Sequence, residues 1–443
     1  MSARRSTVAA ALAAVAVTLA GGPVPSTAAA ATATTTRVSV SGTGVQGNQS
    51  SSYVTVSANG RYVAFTSSAS NLVPGDTNNA EDVFVRDRMA GTIRRVDVPS
   101  AGGQANGGAL GVAISADGRF VAYGSDAANL VPGDTNVATD VFVRDRANAT
   151  TTRVSVSTGG VQGNNVSYKV AISADGRFVA FGSSASNLVP GDTNGRRDVF
   201  VRDRTTSTTT RVNVSSGGAQ ANQYAPVSVP SISADGRYVA FESTASNLTP
   251  GDTNATTDVF VRDRVAGTTA RVSLTNGGGQ ANLNSEFPSV SADGRYVAFE
   301  SWASNLVAGD TNATVDVFVR DRSGLTTRRV DVGSGGAQAN GGGIRPAISA
   351  DGRFVAFESS ATNLIGADTN GTSDVFVRDR TAAVTRRVSV SSGGGQADSA
   401  STAGAAISAD GRYVPFISTA ANLVPGDTNG AQDAFLRDRG AAQ

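Results

Sequence analysis

Short runs of apolar and hydroxyl-bearing residues, separated by turn residues, follow one another along the chain after residue 35. One stretch contains four such runs, at residues 111–115, 119–125, 140–144 and 152–157. They are rich in Val, Ile, Phe, Tyr and Thr, and the last run alternates polar and apolar positions, so all four predict β-strands. The pair Asp117-Gly118 between the first two runs predicts a tight hairpin. No window shows a helical period.

This four-run unit occurs seven times. Its most constant part is SADGR, with a spacing of 58 to 60 residues, a period typical of solenoids, propellers and repeat arrays. Four antiparallel strands per unit favour propeller blades. The sequence therefore predicts an all-β protein, a seven-bladed β-propeller of four-stranded antiparallel blades. The copies begin at Ser57 (as SANGR), Ser115, Ser173, Ser233, Ser291, Ser349 and Ser408.

The combination of SADGRYVAF with a following DVFVRDR resembles the WD-repeat-like blade of the TolB-type β-propellers, which carries a Ser-Pro-Asp-Gly-Arg turn between its inner two strands. The resemblance covers about residues 35 to 440. Here alanine replaces the proline, and there are seven copies where TolB has six blades and a separate N-terminal domain. The resemblance implies a propeller and, as one alternative, a role in a cell-envelope protein complex.

The two ends of the repeat region complement each other. The seventh copy stops at residues 433–443 without a fourth strand, whereas residues 35–41, TTRVSVS, are a fourth strand with no blade before it. Pairing the two would remove an exposed sheet edge. We therefore predict that residues 32–443 form a single propeller domain, in which residues 35–41 are the outer strand of the last blade.

Residues 1–31 have the pattern of a signal peptide. Arg4 and Arg5 precede an apolar run from Val8 to Ala20, and small residues follow up to Ala31. The alternative of a retained anchor is weaker because the apolar run is shorter than the roughly 20 residues that span a bilayer. We expect a secreted protein, located outside the cell or in the cell envelope, exported by the general or the twin-arginine route.

Composition then narrows the chemistry. The chain has 37 basic and 36 acidic residues, so that loss of Arg4 and Arg5 leaves 35 against 36, a net charge of −1. This balance gives no electrostatic reason to expect nucleic acid or an anionic membrane as partner. The absence of cysteine and histidine excludes disulfides, thiol nucleophiles, zinc sites built from these residues and any histidine base. We expect a monomer without catalytic activity.

One polar motif, NLVPGDTNxxxD, lies between the second and third runs of every copy. Its carboxylate and amide oxygens would suit a hard cation such as calcium. Alternatively, these side chains only form Asx-turns, in which they bond to their own backbone. The candidate ligands are Asp76, Asn78, Asp82; Asp134, Asn136, Asp140; Asp192, Asn194, Asp198; Asp252, Asn254, Asp258; Asp310, Asn312, Asp316; Asp368, Asn370, Asp374; and Asp427, Asn429, Asp433.

Two further motifs favour structural roles. GGxQAN follows the fourth run, and its amides can satisfy backbone groups at a blade junction. The RDR motif, as in Arg86-Asp87-Arg88, predicts ion pairs at a turn, with its arginine bonded to the SADGR aspartate or a neighbour. Because strand directions alternate, the loops after the second and fourth strands share one face, so both DTN and QAN should lie there as a ring.

A single ligand site must break the sevenfold repetition, so the positions that differ between copies are the candidates. The second strand ends in glutamate only at Glu242, Glu300 and Glu358. These carboxylates could serve a glycosidase, or they could be surface variation between duplicated units. The residues that vary most before or within the first strand, together with the only tryptophan, are the candidate ligand contacts: Tyr168, Tyr224, Phe287, Trp302 and Arg345.

These observations favour a secreted, non-catalytic binding or scaffolding propeller that is stabilised by calcium and binds a protein or an extracellular glycan. One alternative is an extracellular, carboxylate-dependent glycan hydrolase or lyase. Another is a TolB-like component of a cell-envelope complex. We expect no cofactor other than calcium.

Overall fold

The computed structural model describes residues 32–224, 229–366, 368–404 and 406–440, so the predicted signal peptide lies outside the described residues. The described chain forms seven four-stranded antiparallel sheets, and strands are its only regular elements. This confirms the predicted all-β fold with seven blades. In blades 1 to 6 the strands pair in sequence order, and in blade 7 the N-terminal strand takes the fourth place. The first strands of neighbouring blades contact each other around the central channel.

The strand bounds repeat closely from blade to blade. Blades 1 to 3 consist of Ser51–Val56, Tyr62–Ser67, Asp82–Asp87, Thr92–Arg95; Ala109–Ile114, Phe120–Ser125, Asp140–Asp145, Thr150–Arg153; and Ser167–Ile172, Phe178–Ser183, Asp198–Asp203, Thr208–Arg211. Blades 4 and 5 consist of Ser231–Ile232, Tyr238–Ser243, Asp258–Asp263, Thr268–Arg271; and Ser285–Val290, Tyr296–Ser301, Asp316–Asp321, Thr326–Arg329. Blades 6 and 7 consist of Gly343–Ile348, Phe354–Ser359, Asp374–Asp379, Val384–Arg387; and Ser401–Ala403, Tyr413–Ser418, Asp433–Asp438, Thr34–Arg37.

A cyclic chain of backbone hydrogen bonds joins the seven SADGR turns. The alanine of each turn donates its N–H to the carbonyl of the alanine in the next blade, as in Ala58 to Ala116 at 3.1 Å and Ala116 to Ala174 at 3.0 Å. The last of these bonds runs from Ala409 back to Ala58, also at 3.1 Å. The ring is therefore closed around the channel at the end where the SADGR turns lie.

The N-terminal strand completes the last blade, as the two ends of the repeat predicted. Thr34–Arg37 pairs antiparallel with Asp433–Asp438, with Thr34 opposite Asp438 and Arg37 opposite Phe435. The strand is shorter than the predicted residues 35–41. After Val38 the chain turns away from the sheet edge, and Val40 pairs with Gln46 in a small hairpin.

The same correction applies to the fourth strand of the other blades. In blade 2 this strand is Thr150–Arg153 and not residues 152–157. The valines of the predicted segment, Val154 and Val156, are buried, and Val154 packs in a core cluster with Val170 of the next blade. Their alternation with polar residues reflects packing between blades rather than a strand.

Aromatic rings and glycines pack the blades together. Phe120 of blade 2 lies against Gly176 of blade 3, where a Cβ would approach the ring to 2.2 Å and the backbone has a φ of +72°. Two guanidinium groups cover the ring, Arg119 at 4.7 Å and Arg204 at 4.5 Å from its centroid. Glycine is required here both by the positive φ and by the close approach.

Four arginines in every blade have structural roles, and two motifs, SADGR and RDR, are joined by them. In blade 2 the SADGR arginine, Arg119, donates two hydrogen bonds to Asp145 of RDR, at 3.0 and 2.8 Å. Arg144 donates to backbone carbonyls of blade 1, and Arg146 donates to Gly118. The fourth, Arg153, ends the fourth strand and pairs with Asp134 and Asp140 of the DTN loop. The RDR arginine thus bonds to the neighbour of the SADGR aspartate, as predicted, while the ion pair joins the RDR aspartate to the SADGR arginine.

Candidate ligand site at the channel mouth

Each DTN loop is organised around a guanidinium group. In blade 1, Arg95 Nη1 lies 3.1 Å from Asp76 Oδ1 and 3.1 Å from Asp82 Oδ2. Asn78 Oδ1 accepts the N–H of Ala80 at 3.2 Å, which is an Asx-turn, while its Nδ2 donates to Asp82. The Asx-turn recurs in all seven loops.

This arrangement does not fit a calcium ion. The arginine already places a positive charge between the two carboxylates, and the asparagine turns its amide donor towards them. Among the described residues, no group of three or more acidic, histidine or cysteine side chains is arranged to hold a metal. Burial, followed by the charge of Asp82, raises the pKa of Asp76 to about 6, and Asp192 in blade 3 has the same value for the same reasons. Calcium binding stays an untested prediction.

The QAN motifs join one DTN loop to the next blade. Gln162 Nε2 donates to Asp134 Oδ1 at 2.8 Å, and the backbone carbonyl of Gln162 accepts a hydrogen bond from Asn187 Nδ2 at 2.8 Å. Asn187 Oδ1 in turn accepts the N–H of Asn164 at 3.0 Å. These bonds hold the blade junction together, so the amides serve the structural role predicted for them.

Most basic residues that lie outside the repeated motifs, and all glutamates, lie on the face of the DTN and QAN loops. With four arginines per blade and the two in residues 1–31 set aside, seven cations are left. Three of them belong to fourth strands at the outer rim: Arg94, Arg328 and Arg386. The other four, and all five glutamates of the chain, belong to the loop face: Lys169, Arg196, Arg197, Arg345, Glu81, Glu242, Glu286, Glu300 and Glu358.

Several of these side chains converge where the channel opens on the loop face. Burial lowers the pKa of Lys169 in blade 3, the charge of Glu242 opposes this, and the positive charges of Arg197 and Arg345 add to it. Arg345 belongs to blade 6, so charges from opposite sides of the ring lie within electrostatic reach of each other. We call Lys169, Glu242, Glu286, Glu300, Arg345 and Glu358 the channel-mouth cluster.

The three glutamates that end second strands reach towards the next blade. Glu242 Oε2 accepts the N–H of Phe287 at 3.0 Å, and Glu300 Oε2 accepts that of Arg345 at 2.7 Å. Glu358 pairs with the Arg345 guanidinium of its own blade at 3.2 Å and bonds to the backbone of Ala403 in blade 7. Each glutamate therefore helps to hold a neighbouring blade as well as lining the mouth.

Burial also raises the pKa values of carboxyl groups in the cluster. It raises the pKa of Glu300 to about 7, with a further increase from the charge of Glu286 and an opposing effect of the bound N–H of Arg345. The pKa of Glu286 is raised by burial and by Glu242. These carboxyl groups therefore affect each other across two blades, whereas the interacting carboxyl groups of each DTN loop lie within one blade.

The first strands contain strained positions that face this site. Tyr53, Lys169, Phe287 and Arg345 occupy the same place in their blades and have positive φ angles of 39°, 60°, 52° and 52°. Each lies where the pairing of the first two strands shifts register, as in a β-bulge. A side chain in this conformation costs about 1–2 kcal/mol relative to glycine. Such strain is concentrated at functional sites.

Aromatic side chains surround the cluster. Tyr224 and Trp302 are each 50% exposed, and Tyr53 and Phe287 are also exposed. The backbone N–H of Trp302 donates to the Asn284 carbonyl at 2.9 Å, and Asn284 Nδ2 donates to Glu286 at 3.4 Å, so the backbone at Trp302 lies beside a residue that contacts the cluster.

The structure thus places Tyr168, Tyr224, Phe287, Trp302 and Arg345, the predicted ligand contacts, on the loop face, where Phe287 and Arg345 bond directly to the cluster glutamates. Sequence reasoning missed Arg196 and Arg197. Their guanidinium groups lie over Tyr224 at 4.4 Å and over Tyr168 at 4.9 Å. The signal was present, because only this copy of the DTN loop carries two arginines.

No protein-family model and no curated protein matches the chain. Solved structures resemble it. The β-propeller domain of the Trilobed protease from Pyrococcus furiosus, with an open velcro topology, gives a TM-score of 0.53 and 10% identity over 88% of this chain and 93% of that chain. An oligogalacturonate lyase in complex with manganese gives 0.51 and 12% identity over 91% and 92%. A putative TolB from Agrobacterium tumefaciens gives 0.39 and 16% identity over 67% and 83%.

At these identities the likeness concerns the fold. The predicted seven-bladed propeller is confirmed by the strand topology, and TolB structures are among the solved structures that the chain resembles. In the part of the chain that the structure describes, no helix has the length and apolar character needed to cross a membrane.

Proposed function

We propose that this protein is an exported, non-catalytic binding propeller whose ligand, an extracellular glycan, docks at the channel mouth. The observation that carries the proposal is the distribution of non-repeated residues. The repeat uses arginine and aspartate for its own contacts, whereas the single lysine, all glutamates and the exposed tryptophan belong to one face. A site that breaks the sevenfold symmetry is what a single ligand requires.

The chemistry of the mouth suits a sugar. Trp302 and Tyr224 offer half-exposed rings that can cover the apolar face of a pyranose. Carboxylates and amides beside them, such as Glu286 and Asn284, can bond to hydroxyl groups. The cluster lies at the loop-face end of the channel, whereas the hydrogen-bonded ring of alanine backbones surrounds the other end.

A glycan array tests the proposal. The wild type should bind a restricted set of glycans, and Trp302→Ser, which installs the residue found in blades 1, 3 and 6, should weaken that binding. Met89→Ala is a matched control because Met89 is 79% exposed on a turn after a third strand, at the opposite face. A blank array, together with capture of a specific protein from envelope extracts, would favour a protein partner instead.

Export forms part of the proposal and rests on the signal-like pattern of residues 1–31. The mature protein should begin near Thr32, which N-terminal mass spectrometry of protein recovered from the culture medium or the envelope fraction measures. A mature chain that begins at Met1 and stays in the cytosol would contradict it.

A second candidate is a carboxylate-dependent glycan hydrolase or lyase. It is favoured by the pKa of Glu300, raised to about 7 beside Glu286, which resembles the tuning of a general acid. Incubation with glycans that bind the array should then release new reducing ends or unsaturated products, and Glu300→Gln should abolish the release. If binding occurs without any product, the non-catalytic proposal holds.

A further inference from the structure

Blade 3 carries three cations at the mouth, and within the described chain neither Arg196 nor Arg197 pairs with a carboxylate, while Lys169 only lies within electrostatic reach of Glu242. By contrast, Arg345 pairs with Glu358. The other blades have neutral or acidic residues at the two arginine positions. These are Ala80, Glu81; Ala138, Thr139; Thr256, Thr257; Thr314, Val315; Thr372, Ser373; and Ala431, Gln432.

The two guanidinium groups are held in place by stacking rather than by carboxylates. Arg197 lies over Tyr168, and its stem passes 3.8 Å from the position that a Cβ of Gly182 would occupy. Gly182 stands where blades 4 to 6 have glutamate, so the arginine occupies space that the absent side chain leaves. Arg197 Nε is buried and has no hydrogen-bond partner within the described chain. Arg196 lies over Tyr224.

A preorganised arginine without a carboxylate partner is a receptor for an anion. Its planar fork matches the two oxygens of a carboxylate in a bidentate contact. Two such groups and the ammonium of Lys169, whose pKa is lowered chiefly by burial, would be stabilised by one negative charge. The repeat provides no such charge at this place.

The neighbouring glutamates restrict which anion can bind. Glu242, Glu286 and Glu300 lie on the next two blades and would repel a ligand with closely spaced charges, such as a nucleic acid or a polyphosphate. The same carboxylates accept hydrogen bonds from hydroxyl groups. A ligand that binds both the cations of blade 3 and the glutamates of blades 4 and 5 has an isolated carboxylate and several hydroxyls. The exposed ring of Tyr224 adds an apolar surface for a sugar ring.

We propose that the glycan bound at the channel mouth is carboxylated, and that Arg196 and Arg197 of blade 3, together with Lys169, bind the carboxylate of a uronic acid residue. This inference rests on the proposed function, because it names the chemical class of the glycan at the same site. The glutamates of blades 4 and 5 bind the hydroxyl groups of that sugar or its neighbour.

Titration calorimetry with a short oligogalacturonate and with its methyl ester tests the inference, since the ester keeps the hydroxyls and removes the charge. The wild type should bind the acid at least about tenfold more tightly than the ester, and added salt should reduce the difference. The double variant Arg196→Gln, Arg197→Gln should lose this preference while it keeps binding to the ester.

Arg94→Gln is the matched control, since it removes a cation from the outer rim, and it should leave both affinities unchanged. Circular dichroism and melting curves establish that each variant is folded. Equal binding of acid and ester by the wild type would overturn the inference and leave the proposed function standing. Equal loss in the Arg94 variant would also overturn it. Failure of both ligands, together with a blank array, would overturn the proposed function itself.

Discussion

Two of the seven blades contain a buried pair of carboxyl groups that should make stability depend on pH. In blade 1 Asp97 is fully buried, and its Oδ1 accepts the N–H of Val83 at 3.0 Å. Burial and the charge of Asp82 raise the pKa of Asp97 well above its ordinary range, and in blade 5 the same causes act on Asp331. At neutral pH the pair is therefore stable only with a shared proton.

Other blades show the usual contacts of the residue that takes the place of Asp97. In blade 2 Ser155 Oγ accepts the N–H of Val141 at 3.1 Å and donates to Asp140 Oδ1 at 2.5 Å. An aspartic acid reproduces both bonds when it is protonated, because its hydroxyl can donate to Asp82. An ionised Asp97 cannot donate and would face a second carboxylate. The substitution Asp97→Ser, taken from the protein's own repeat, should thus remove the dependence on the proton.

The sign and magnitude follow from linkage. A carboxyl group whose pKa is raised in the folded state binds more protons when folded, so its contribution to stability is complete below the ordinary pKa of about 4 and declines as the pH rises towards the folded-state pKa. The decline is about 1.4 kcal/mol per pH unit for each pair. With about 2.1 cal/mol/K of unfolding entropy per residue over roughly 410 residues, this corresponds to about 1.5 °C in Tm per pH unit.

Thermal melts between about pH 5 and about pH 8 measure the effect. Asp97→Ser and Asp331→Ser should each reduce the loss of Tm per pH unit by about 1.5 °C, and the double variant by about twice that. Ser183→Ala is the control, since the buried Ser183 hydroxyl bonds only to Ser167 and to backbone groups, and its loss should lower Tm equally at every pH. A double variant whose Tm falls with pH as steeply as that of the wild type would refute the shared-proton account.

Three further outcomes are expected. Gly176→Ala should be less stable than Gly191→Ala by about 1–3 kcal/mol in denaturant titrations, because both have positive φ but only Gly176 faces a ring. Added calcium or chelator should leave Tm unchanged, because a guanidinium lies between the loop carboxylates. A rise of Tm with calcium would support the calcium prediction instead. Arg95→Met should lower the free energy of unfolding by about 3–5 kcal/mol, since two partly buried carboxylates lose their cation, and a change below about 1 kcal/mol would contradict this.

The fold could be predicted because its signals are local and repeated. The SADGR turn, the four strand-forming runs and the matching ends of the chain each fixed one part of the architecture. The fourth strands were misplaced because RVSVS alternates in the way a strand does, although its valines pack against the next blade. Alternation alone cannot distinguish burial within a sheet from burial between sheets.

The site was harder to predict because its geometry depends on register and on ring closure. Arg153 lies between Asp134 and Asp140 only because the third and fourth strands pair in one register, which the motif DTNxxxD does not encode. Lys169 and Arg345 are far apart in sequence and approach each other only in a closed ring. Arg196 and Arg197 stood out by comparison with the other copies, but the open position above Gly182 is visible only in the structure.

The emission of Trp302 tests most directly whether the channel mouth is the ligand site. It is the only tryptophan, is half exposed, and its backbone bonds to Asn284, whose side chain contacts Glu286 of the cluster. A titration with a glycan that the array identifies should change its emission saturably, with the same affinity as calorimetry, and should protect it from a soluble quencher. Tight binding by calorimetry with unchanged emission and unchanged quenching would show that the ligand binds elsewhere.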